Sequence, residues 1–581
     1  MLRDTDDIIL GINGWNEQGH DAAACLLVNN VVTSFVEEER FTRKRYAYDT
    51  FPVHAILSCL QEQSLTPEQV TAIAIGWDMP LVYQSNGIEY PYSKQELLQL
   101  LFPAGFYGEE SPAINSELHF ISHHLAHAAS AYRVSGFSEA SILVLDGQGE
   151  TSSGLLGKGE NGEISIYETI PIQYSLGYFV ETACRFLGLR SSDAGKLMGL
   201  AAQGKPIFDF PEFQLTESAY AVTNAPTELQ KGIDQQKMMH TFWMDQFKAR
   251  FPNHHPEKRR TFNRVLGRTK EELLLDEFSQ NFAASVQKKL EDVVIHLTSV
   301  LTKKTGERKL VYAGGVALNC VANGRLISED RVSDLYVQPA ANDAGVSLGA
   351  ALEVAYQKSG ATFPEMNHCY LGPSFTNQEI ESELRRLKVP YGHKTDITKV
   401  AAEAVNQGKV VAWFQGRMEV GPRALGSRSI IANPTLPQMH EEVNIIKSRE
   451  QWRPLAPSIL EDQMGDFFEH AHTNPFMLLS QKVKGDRQDG IPAVVHVDGS
   501  ARFQSVSEET NPLYYQMISD FQELSGVPVV MNTSFNIEGE PIVMTPEQAL
   551  RAFYLSPIDC LAIGDFWITK DAEVGKKKAS T

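Results

Sequence analysis

The stretch Ser141-Ile142-Leu143-Val144-Leu145-Asp146-Gly147-Gln148-Gly149-Glu150 runs from a short apolar segment directly into an acidic, glycine-rich loop. The apolar residues predict a buried strand, and a carboxylate at the end of such a strand lies where α/β sheets collect ligand residues. The same pattern returns where Tyr336-Val337 leads into Pro339-Ala340-Ala341-Asn342-Asp343. Asp146 and Asp343 are therefore each predicted to stand at the mouth of a buried strand.

The pattern of strands and loops recurs along the first half of the chain. Residues 8–13 predict a first strand, and a hairpin turning at Asn29-Asn30 is predicted after it. Because 141–145 again precedes a polar loop and a second apolar run, we expect two related α/β units. Apolar residues at steps of three or four then indicate a long helix between Arg268 and Gly306.

Two histidines stand four residues apart, at His123 and His127. On a helix this spacing places both imidazoles on one face, where they can share a metal ion. A helix can also simply bury or solvate two such rings, so the acidic residues decide the interpretation. Together with Asp146 and Asp343 they suit a divalent transition metal, Fe(II), Mn(II) or Zn(II). His124 lies about 100° round the helix and is expected to face elsewhere.

Composition narrows the class of protein. A chain of 581 residues is too long for one core, and 43% hydrophobic with 21% charged residues is typical of globular proteins. The formal net charge of -20 argues against nucleic acid as a main ligand. The cysteines form no Cys-x-x-Cys pair, the N-terminus lacks signal-peptide character, and no apolar run reaches the about 18 residues of a membrane span. We therefore expect a cytoplasmic protein with no membrane partner.

We predict an α/β fold class in two large domains. A boundary is expected between Lys358 and Pro364, which gives domains 1–360 and 365–581. Residues 206–263 mix proline, aromatic and charged residues without a clear period. They are interpreted as an insertion that carries variable substrate contacts.

The second half contains the local basic region that an acidic chain needs if it binds phosphate. Between Arg417 and Arg453, basic residues outnumber acidic ones, and arginine alternates with glycine and proline as guanidinium binding of phosphate requires. A solvated basic face is the alternative. The segments 496–502 and 532–536 are predicted to follow apolar strands and to offer groups suited to phosphate, ribose or carbonyl oxygens, although either could be a capped turn.

Together these segments resemble the NodU family of O-carbamoyltransferases, enzymes of natural-product and nodulation-factor biosynthesis. The resemblance spans nearly the whole chain and rests on the histidine segment and on the motifs Gly14-Trp15, His20-Asp21-Ala22, Glu37-Glu38-Glu39-Arg40-Phe41, Gly195-Lys196-Leu197-Met198-Gly199-Leu200-Ala201, Gly421-Pro422-Arg423-Ala424-Leu425-Gly426, Lys447-Ser448-Arg449-Glu450 and Asn532-Thr533-Ser534-Phe535-Asn536. It implies an actin-like ATPase (Kae1-like) N-terminal domain and a YrdC-like α/β C-terminal domain.

The resemblance also implies a reaction in two steps. The C-terminal domain would make carbamoyl adenylate from carbamoyl phosphate and ATP, releasing pyrophosphate and phosphate, and an internal passage would carry it onward. In the N-terminal domain a metal, iron in the family, would hold the adenylate while a hydroxyl of a small-molecule acceptor attacks and AMP leaves. The implied cofactors are ATP with Mg2+ and a divalent metal, expected to be Fe2+.

Matching the family's motifs assigns the site residues. The metal ligands are His123, His127, Asp146 and Asp343. The nucleotide pocket takes Arg423, Lys447, Arg449, Arg453, Arg502, Ser534 and Asn536, with Lys447 and Arg453 also catalytic.

Two further candidates come from the loops after predicted strands. The turn with Gly314, Gly315 and Asn319 has small residues that let backbone approach a cofactor, unless they serve packing alone. His20 is the candidate general base, since its ordinary pKa lies near neutrality. A loop histidine that only hydrogen-bonds the acceptor is the alternative.

Three other functions compete with this prediction. Threonylcarbamoyl-type modification of tRNA would need a basic RNA-binding surface, which the net charge of -20 disfavours. Hydrogenase-maturation carbamoyltransferases carry cysteine-pair zinc motifs, and a non-catalytic nucleotide-binding regulator would explain neither the metal ligands nor the second site. The sequence leaves the acceptor open among aminosugars, macrolides, alkaloids and other alcohols, and it leaves a homodimer open.

Overall fold

The computed structural model describes residues 7–15, 19–226, 235–254 and 274–570. The chain forms two compact units. The N-terminal unit comprises residues up to Thr33 and Asp49–Met366, and the C-terminal unit comprises Ser34–Tyr48 and the residues from Asn367 onward. The assignment of Ser34–Tyr48 to the C-terminal unit differs from the continuous N-terminal domain that the sequence predicts.

The N-terminal unit is built on two five-stranded sheets. The strands in this part of the chain are β1 (Ile8–Asn13), β2 (Ala23–Val28), β3 (Val31–Glu37), β4 (Ala72–Ile75), β5 (Glu117–Phe120), β6 (Glu139–Leu145), β7 (Ser152–Glu160), β8 (Glu163–Pro171), β9 (Phe213–Leu215), β10 (Tyr220–Val222), β11 (Lys309–Ala313) and β12 (Asp334–Val337). The first sheet has the order β3-β2-β1-β4-β5, and the second has the order β8-β7-β6-β11-β12.

The two sheets repeat one topology. In each sheet, the first strand pairs antiparallel with the strand after it and parallel with a later strand on its other side. This duplicated arrangement is that of the actin-like ATPase fold, and the prediction of two related α/β units is confirmed. The predicted hairpin is also confirmed, because Asn29 and Asn30 link β2 to β3 with φ of 51° and 66°, as a two-residue hairpin loop of type I′ requires.

The helices up to residue 366 are α1 (Glu39–Thr42), α2 (Val53–Glu62), α3 (Met79–Ser85), α4 (Lys94–Leu101), α5 (His123–Tyr132), α6 (Leu176–Phe186), α7 (Ala194–Ala201), α8 (Gln235–Arg250), α9 (Glu277–Thr305), α10 (Cys320–Ser328) and α11 (Ala344–Ser359). Helices α5 and α11 pack against each other very closely. A Cβ at Gly349 would lie 1.7 Å from the carbonyl oxygen of Ala126, so only glycine allows this approach. The close packing fixes α5 relative to the start of α11.

The long helix predicted from the apolar stripe is α9. The Asp276 side chain accepts a hydrogen bond from the Ser279 N–H (2.7 Å) and caps its start, and Gly306 ends it in the left-handed conformation with φ of 73°. The stripe residues Phe282, Val286 and Leu290 are buried, as predicted for a core-facing side. The residues from Arg268 to 273 lie outside the described part of the chain.

The predicted insertion, 206–263, contributes a hairpin and one helix among its described residues. Strands β9 and β10 pair antiparallel, and α8 buries Trp243 and Phe247. Trp243 stacks on Phe213 with ring centroids 5.3 Å apart and meets Phe179 edge-on at 4.8 Å. Residues 227–234 and 255–263 lie outside the described residues. The structure thus gives this segment an aromatic core, and its substrate contacts stay a prediction.

The C-terminal unit is an α/β domain with one large mixed sheet. Its strands are β13 (Gly392–His393), β14 (Val411–Phe414), β15 (Arg428–Ala432), β16 (Ala456–Leu460), β17 (Ser480–Lys482), β18 (Ser500–Arg502), β19 (Gln504–Val506), β20 (Val529–Ser534), β21 (Cys560–Ile563) and β22 (Phe566–Thr569). Its later helices are α12 (Asn377–Arg386), α13 (Ile397–Asn406), α14 (Met439–Ile446), α15 (Met464–Phe467), α16 (Pro512–Ser525) and α17 (Pro546–Leu555). The eight-stranded sheet has the order β13-β22-β21-β14-β15-β20-β16-β19.

This sheet is buried on both faces. Ala412 and Phe414 of β14 belong to one hydrophobic core, and the alternating Val411 and Trp413 belong to a second core. Near-continuous apolar runs are expected in strands covered on both sides. The α/β class predicted for the chain is therefore confirmed in both units.

Ser34–Tyr48 belongs with the C-terminal unit because its charged residues pair there. Arg40 is buried, ion-pairs with Glu37 at 2.6 Å and donates to the carbonyl oxygen of Gly421 at 2.8 Å. Arg43 donates to the carbonyl oxygens of Pro541 (2.6 Å) and Ile542 (2.8 Å). A buried arginine needs such acceptors, and no apolar periodicity in the sequence reveals them.

Within the described residues, the helices are too short or too polar to cross a bilayer.

Candidate functional site

Four side chains of the N-terminal unit meet at the N-terminus of α5. His123 Nε2 lies 3.1 Å from Asp146 Oδ2 and 3.6 Å from Asp343 Oδ1. His127 Nε2 lies 3.7 Å from Asp146 Oδ2 and 3.6 Å from Asp343 Oδ1. One ligand atom from each residue falls within 4.8 Å of all the others, and all four residues are buried. The structure therefore brings together the predicted metal ligands.

The strands and helices explain this convergence. Asp146 follows β6 and Asp343 precedes α11, while His123 and His127 are one turn apart on α5. Strands β6, β11 and β12 are parallel neighbours, so the loops after them emerge at one edge of the sheet. As predicted, His124 points elsewhere and its Nδ1 lies 2.8 Å from Ser152 Oγ.

The donor chemistry of this cluster fits a divalent cation. Neither ring nitrogen of His127 has a hydrogen-bond partner among the described residues. Burial lowers the pKa of His127, but the Asp146 and Asp343 carboxylates outweigh it and raise this pKa to about 9. Burial raises the pKa of Asp146, yet the two imidazoles hold it well below its usual range. Two buried carboxylates and two buried imidazoles are ligands typical of Fe(II), Mn(II) or Zn(II).

Several neighbours that the sequence did not reveal orient these ligands. The Glu150 Oε1 atom accepts hydrogen bonds from the backbone N–H groups of His123 and Asp78, both at 2.8 Å. His123 Nδ1 lies 3.3 Å from the carbonyl oxygen of Gly76, and its ring contacts that of Trp77 with centroids 3.9 Å apart and a tilt of 35°. Glu150 lies 27 positions from His123, so no local sequence pattern marks it as the cap of α5. It does belong to the acidic, glycine-rich loop that follows β6.

The candidate glycine turn, with Gly314, Gly315 and Asn319, contacts the Asp146 carboxylate of the His123 cluster. The Gly315 N–H donates to Asp146 Oδ1 at 3.0 Å. Gly314 has φ of 87°, and a Cβ there would lie 2.2 Å from the carbonyl oxygen of Leu145. The side-chain amides of Asn319 and Gln287 each donate a hydrogen bond to the other's carbonyl oxygen, both at 2.9 Å. In the structure these residues hold other protein groups, and their contact with a cofactor stays a prediction.

His20 lies beside the same cluster. Its Nδ1 is 3.0 Å from Asp21 Oδ2, and its Nε2 is 3.8 Å from Asp343 Oδ2. Burial lowers the pKa of His20, but the Asp343 and Asp21 carboxylates outweigh it and raise this pKa to about 10. Because 45% of the side chain is exposed, solvent screens part of this effect. The loop is held by Asn13, whose amide donates to the carbonyl oxygens of His20 (2.9 Å) and Asp21 (3.0 Å).

The C-terminal unit holds a second charged cluster of opposite sign, formed by Lys447, Arg449, Arg453 and Arg502, which we call the cation cluster. Burial and the neighbouring Arg449, Arg453 and Arg45 lower the pKa of Lys447 well below its usual range. Burial, Arg453 and Arg502 lower the pKa of Arg449 to about 9 against the opposing effect of Glu450. The Nη2 atom of Arg449 is buried and has no hydrogen-bond partner among the described residues. Repelling, desolvated cations with an open donor fit a polyanion such as the phosphates of ATP.

The Lys447 side chain is hydrogen-bonded to residues at the end of β20. Its ammonium donates to the carbonyl oxygens of Ser534 (2.6 Å) and Asn536 (2.8 Å) and to Asn536 Oδ1 (2.6 Å). The Ser534 hydroxyl also donates to Asn536 Oδ1 at 2.6 Å. Three predicted nucleotide-pocket residues are thus together, and an ammonium with three donors is saturated by these acceptors.

Polar side chains missed by the sequence shape the cation cluster. Asn444 Oδ1 accepts from Arg449 Nε at 2.6 Å, and the Asn444 amide donates to the carbonyl oxygen of Arg453 at 3.1 Å. Burial, Arg502 and His440 lower the pKa of His496 to about 4, against the effect of Asp498. The prediction that the segment with His496 follows a strand is wrong. A 3-10 turn, Pro492–Val494, precedes it, because the proline there lacks the N–H that a ladder needs.

Arg423 stands in the loop Gly421–Gly426, which a carboxylate organises. Glu419 Oε1 accepts from the backbone N–H groups of Leu425 (2.7 Å) and Arg428 (3.1 Å). Arg428, by contrast, is a structural arginine: it is buried, stacks on Phe414 at 3.7 Å and donates to backbone carbonyl oxygens. The position of Arg423 in the nucleotide pocket stays a prediction.

Comparison with known proteins identifies the family. Residues 89–352 match the family model for the carbamoyltransferase N-terminus, and residues 402–570 match the model for the carbamoyltransferase C-terminus. The chain is 34% identical to the nodulation protein NolNO of Sinorhizobium fredii, over 95% of this chain and 79% of that protein. The chain belongs to the NodU family of O-carbamoyltransferases.

Two other relatives show the range of the family. This carbamoyltransferase is 35% identical to an uncharacterised protein of Synechocystis sp., over 97% of each chain. It is 27% identical to the 3'-hydroxymethylcephem-O-carbamoyltransferase of Streptomyces clavuligerus, over 95% of this chain and 98% of that enzyme. The resemblance inferred from sequence motifs is therefore confirmed, as is the prediction that the protein is an enzyme.

Proposed function

We propose that this carbamoyltransferase makes carbamoyl adenylate from carbamoyl phosphate and ATP and transfers the carbamoyl group to a hydroxyl of a small-molecule natural product. The observation that carries the proposal is the presence in one chain of a buried cluster that attracts a cation and a partly buried cluster of cations. The His123, His127, Asp146 and Asp343 cluster suits a cation, and the cation cluster around Arg449 suits a polyanion. Adenylation and transfer need these two kinds of site.

The adenylation step is assigned to the C-terminal unit. Carbamoyl phosphate and one water give carbamate and phosphate, and a carbamate oxygen then forms a bond to the α-phosphorus of ATP while pyrophosphate leaves. Arg449, Arg453 and Arg502 stabilise the negative charge on ATP and on the departing pyrophosphate, because charge-assisted hydrogen bonds are strong in a desolvated pocket. Lys447 keeps Ser534 and Asn536 in place for the nucleotide, and Mg2+ is expected to accompany ATP.

The transfer step is assigned to the N-terminal unit. A divalent metal, with Fe2+ as the ion implied by the resemblance, would be held by His123, His127, Asp146 and Asp343 and would supply a Lewis acid for the carbamoyl and phosphate oxygens. The acceptor oxygen forms a bond to the carbamoyl carbon, the bond from that carbon to the AMP oxygen breaks, and the hydroxyl proton leaves.

His20 is placed to take the acceptor's proton or to position the hydroxyl. Asp21 contacts Nδ1 at 3.0 Å and so favours the tautomer that leaves Nε2 as the acceptor. A cation held at Asp343 would offset the carboxylate that raises the pKa of His20, and the imidazole would then suit a general base near neutrality. Hydrogen bonding of the acceptor alone stays the alternative role.

The proposal can be tested without knowing the acceptor. Purified full-length protein should catalyse exchange of radiolabelled pyrophosphate into ATP only when carbamoyl phosphate is present. Acetyl phosphate serves as the matched control and should give no exchange. Exchange independent of carbamoyl phosphate would contradict the proposed first step, and exchange that required threonine would favour the tRNA-modification alternative.

A further inference from the structure

An aromatic pocket lies in the N-terminal unit, at the ends of the parallel strands β1 and β4. Its enclosed space is about 20 Å³, room for one or two water molecules, so a larger occupant needs the surrounding side chains to move apart. Five aromatic side chains line it, Trp15, Phe51, Tyr83, Tyr90 and Tyr92. The remaining lining is aliphatic, methionine or glycine, without a charged side chain.

One tryptophan ring, Trp77, separates the pocket wall from the His123 cluster. Trp15, in the pocket wall, meets Trp77 edge-on with centroids 4.9 Å apart, and the Trp77 ring contacts that of His123 with centroids 3.9 Å apart. Ile12 and Ile75 form part of the wall and are paired in register in β1 and β4. The residues after them, Asn13 and Gly76, hold the His20 loop and His123 through hydrogen bonds. A molecule in the pocket therefore lies one tryptophan ring away from His123, next to strands whose following residues hold the His20 loop and His123.

The lining predicts the chemistry of the occupant. Aromatic rings and aliphatic side chains favour another ring or an apolar surface, because their burial releases water and rings stack or meet edge to face. Tyr90 is within ring contact of Tyr83 (5.5 Å) and Tyr92 (5.7 Å), and burial with these two phenols raises its pKa.

We infer that this pocket binds the body of the acceptor, and that the acceptor is an uncharged alcohol carrying an apolar or aromatic ring. The inference rests on the proposed function, because it takes the adjacent cluster as the transfer site. An ammonium-bearing acceptor such as an aminosugar would bury its charges against a lining without a carboxylate, and burial of an unpaired charge is costly.

An aromatic cage for a quaternary ammonium is the competing occupant. Such a cage directs the faces of several rings at one point. Here neighbouring rings meet edge to face, with interplanar angles of 77° for Tyr83–Tyr90, 80° for Tyr90–Tyr92 and 76° for Phe51–Tyr92. Each such contact covers a face with the edge of the next ring, so the rings do not present a set of convergent faces.

The experiment measures binding and transfer separately on the full-length enzyme. Saturation-transfer NMR follows 2-phenylethanol as the uncharged ring-bearing alcohol and choline as the quaternary ammonium alcohol. We expect saturable binding of 2-phenylethanol alone, weakened about fivefold or more by Tyr90→Ala. Tyr554→Ala, at an exposed tyrosine of α17 in the other unit, is the matched control and should leave binding unchanged.

Two further variants guard against misfolding. Tyr90→Phe removes only the hydroxyl, and Met79→Trp fills the pocket from its aliphatic side; circular dichroism checks each fold. Binding of choline in place of 2-phenylethanol, or 2-phenylethanol binding insensitive to both Tyr90→Ala and Met79→Trp, overturns the inference.

Mass spectrometry with carbamoyl phosphate and ATP separates this inference from the proposed function. Carbamoylated 2-phenylethanol whose KM rises in Tyr90→Ala supports both. Tyr90-dependent binding without carbamoylation of any alcohol tested contradicts the proposed function and leaves the pocket assignment in place. Carbamoylation with a KM unchanged in Tyr90→Ala and Met79→Trp overturns the pocket assignment alone.

Discussion

The two charged clusters of this carbamoyltransferase differ in the charge they attract and in burial: all four residues of the N-terminal cluster are buried, whereas in the cation cluster Lys447 is buried and the three arginines are partly exposed. In the N-terminal unit, two carboxylates and two imidazoles face one point, and the carboxylates raise the pKa of His127 to about 9. In the C-terminal unit, burial lowers the pKa of Lys447 and of Arg449, and the neighbouring cations lower it further. One cluster favours an additional positive charge, and the other favours negative charge.

Under the proposed function, this difference would prepare the two clusters for two half-reactions in one chain. A buried group of like charge is destabilising unless a ligand of opposite charge completes it. Each cluster is supported by neutral hydrogen-bonding groups, Gly315 and Gly76 in one case and Asn444 in the other. Such neutral groups hold the charged side chains in position without neutralising the charge that attracts the ligand. Variants of the two clusters should therefore give complementary defects.

The largest effect is expected for His127→Ala in the N-terminal cluster. Loss of one of four ligands should remove the metal and lower carbamoyl transfer by roughly 10³-fold or more. Pyrophosphate release should continue, because the cation cluster lies in the other unit. Metal content by mass spectrometry and the rates of both half-reactions check this result.

His124→Gln is the matched control for this variant. His124 is equally buried on the same helix, but its Nδ1 contacts Ser152 and it points away from the cluster. It should retain the metal. A His127→Ala protein with full metal content, or a His124→Gln protein without metal, would refute the ligand assignment.

Arg453→Ala should produce the reverse defect. Loss of one charge-assisted contact in a desolvated pocket should cost on the order of 2–4 kcal/mol of transition-state stabilisation for adenylation. The variant should still transfer carbamoyl from supplied carbamoyl adenylate. Arg487→Ala, at an exposed arginine of the same unit, should adenylate normally. If Arg453→Ala adenylated at the wild-type rate, or lost both half-reactions while folded, the division into two sites would be wrong.

His20→Asn sharpens the comparison within the N-terminal unit. It should retain the metal and pyrophosphate release, and it should lower transfer by roughly 10²-fold if His20 accepts the proton. The pH profile of transfer distinguishes the two roles of His20. A lower rate with an unchanged profile would indicate that His20 only positions the acceptor, and an undiminished rate would remove it from the mechanism.

The sequence predicts the elements of the N-terminal cluster well for a physical reason. The i, i+4 spacing of His123 and His127, and the position of Asp146 after an apolar run, are local features that survive in the fold. The duplicated topology is predictable for the same reason, since strand and loop patterns repeat. In the C-terminal unit, the convergence of Lys447 on Ser534 and Asn536 joins residues 87 and 89 positions apart, and the sequence placed them together only through the family resemblance.

The supporting groups were not predictable. Glu150 caps α5 from 27 positions away, while the cap position itself, Ser122, makes no side-chain hydrogen bond. Asn444 and His440 lie on α14, within the segment 417–453, where the sequence marks only the basic residues as candidates for phosphate binding. Buried polar groups of this kind satisfy each other through tertiary contacts, and no local spacing marks them.

Glu150→Gln tests the role of these supporting hydrogen bonds, and its effect on metal binding should be smaller than that of His127→Ala. The carboxylate accepts from the N–H groups of His123 and Asp78 at the start of α5, where negative charge is favoured by the helix dipole. We expect metal affinity to fall about tenfold, as for other residues that orient ligands. Glu160→Gln, at an exposed glutamate, is the control. Unchanged metal affinity in Glu150→Gln, measured by competition with a chelator, would show that the cluster does not depend on this cap.

The smallest effect concerns the cation cluster and pH. His496 has a pKa lowered from 6.5 to about 4 by burial and by Arg502 and His440, against Asp498. Below pH 6.5 the unfolded chain binds a proton at this residue while the folded chain does not until pH about 4, so the free energy of unfolding falls as pH decreases through this range. From pH 7 to 5.5 this histidine should account for about 1 kcal/mol. Urea unfolding of the wild type and of His496→Gln isolates its share, and equal pH dependence in both proteins would contradict the assignment. Pyrophosphate should reduce the decline in the wild type, because a bound polyanion favours the protonated imidazole that the surrounding cations disfavour.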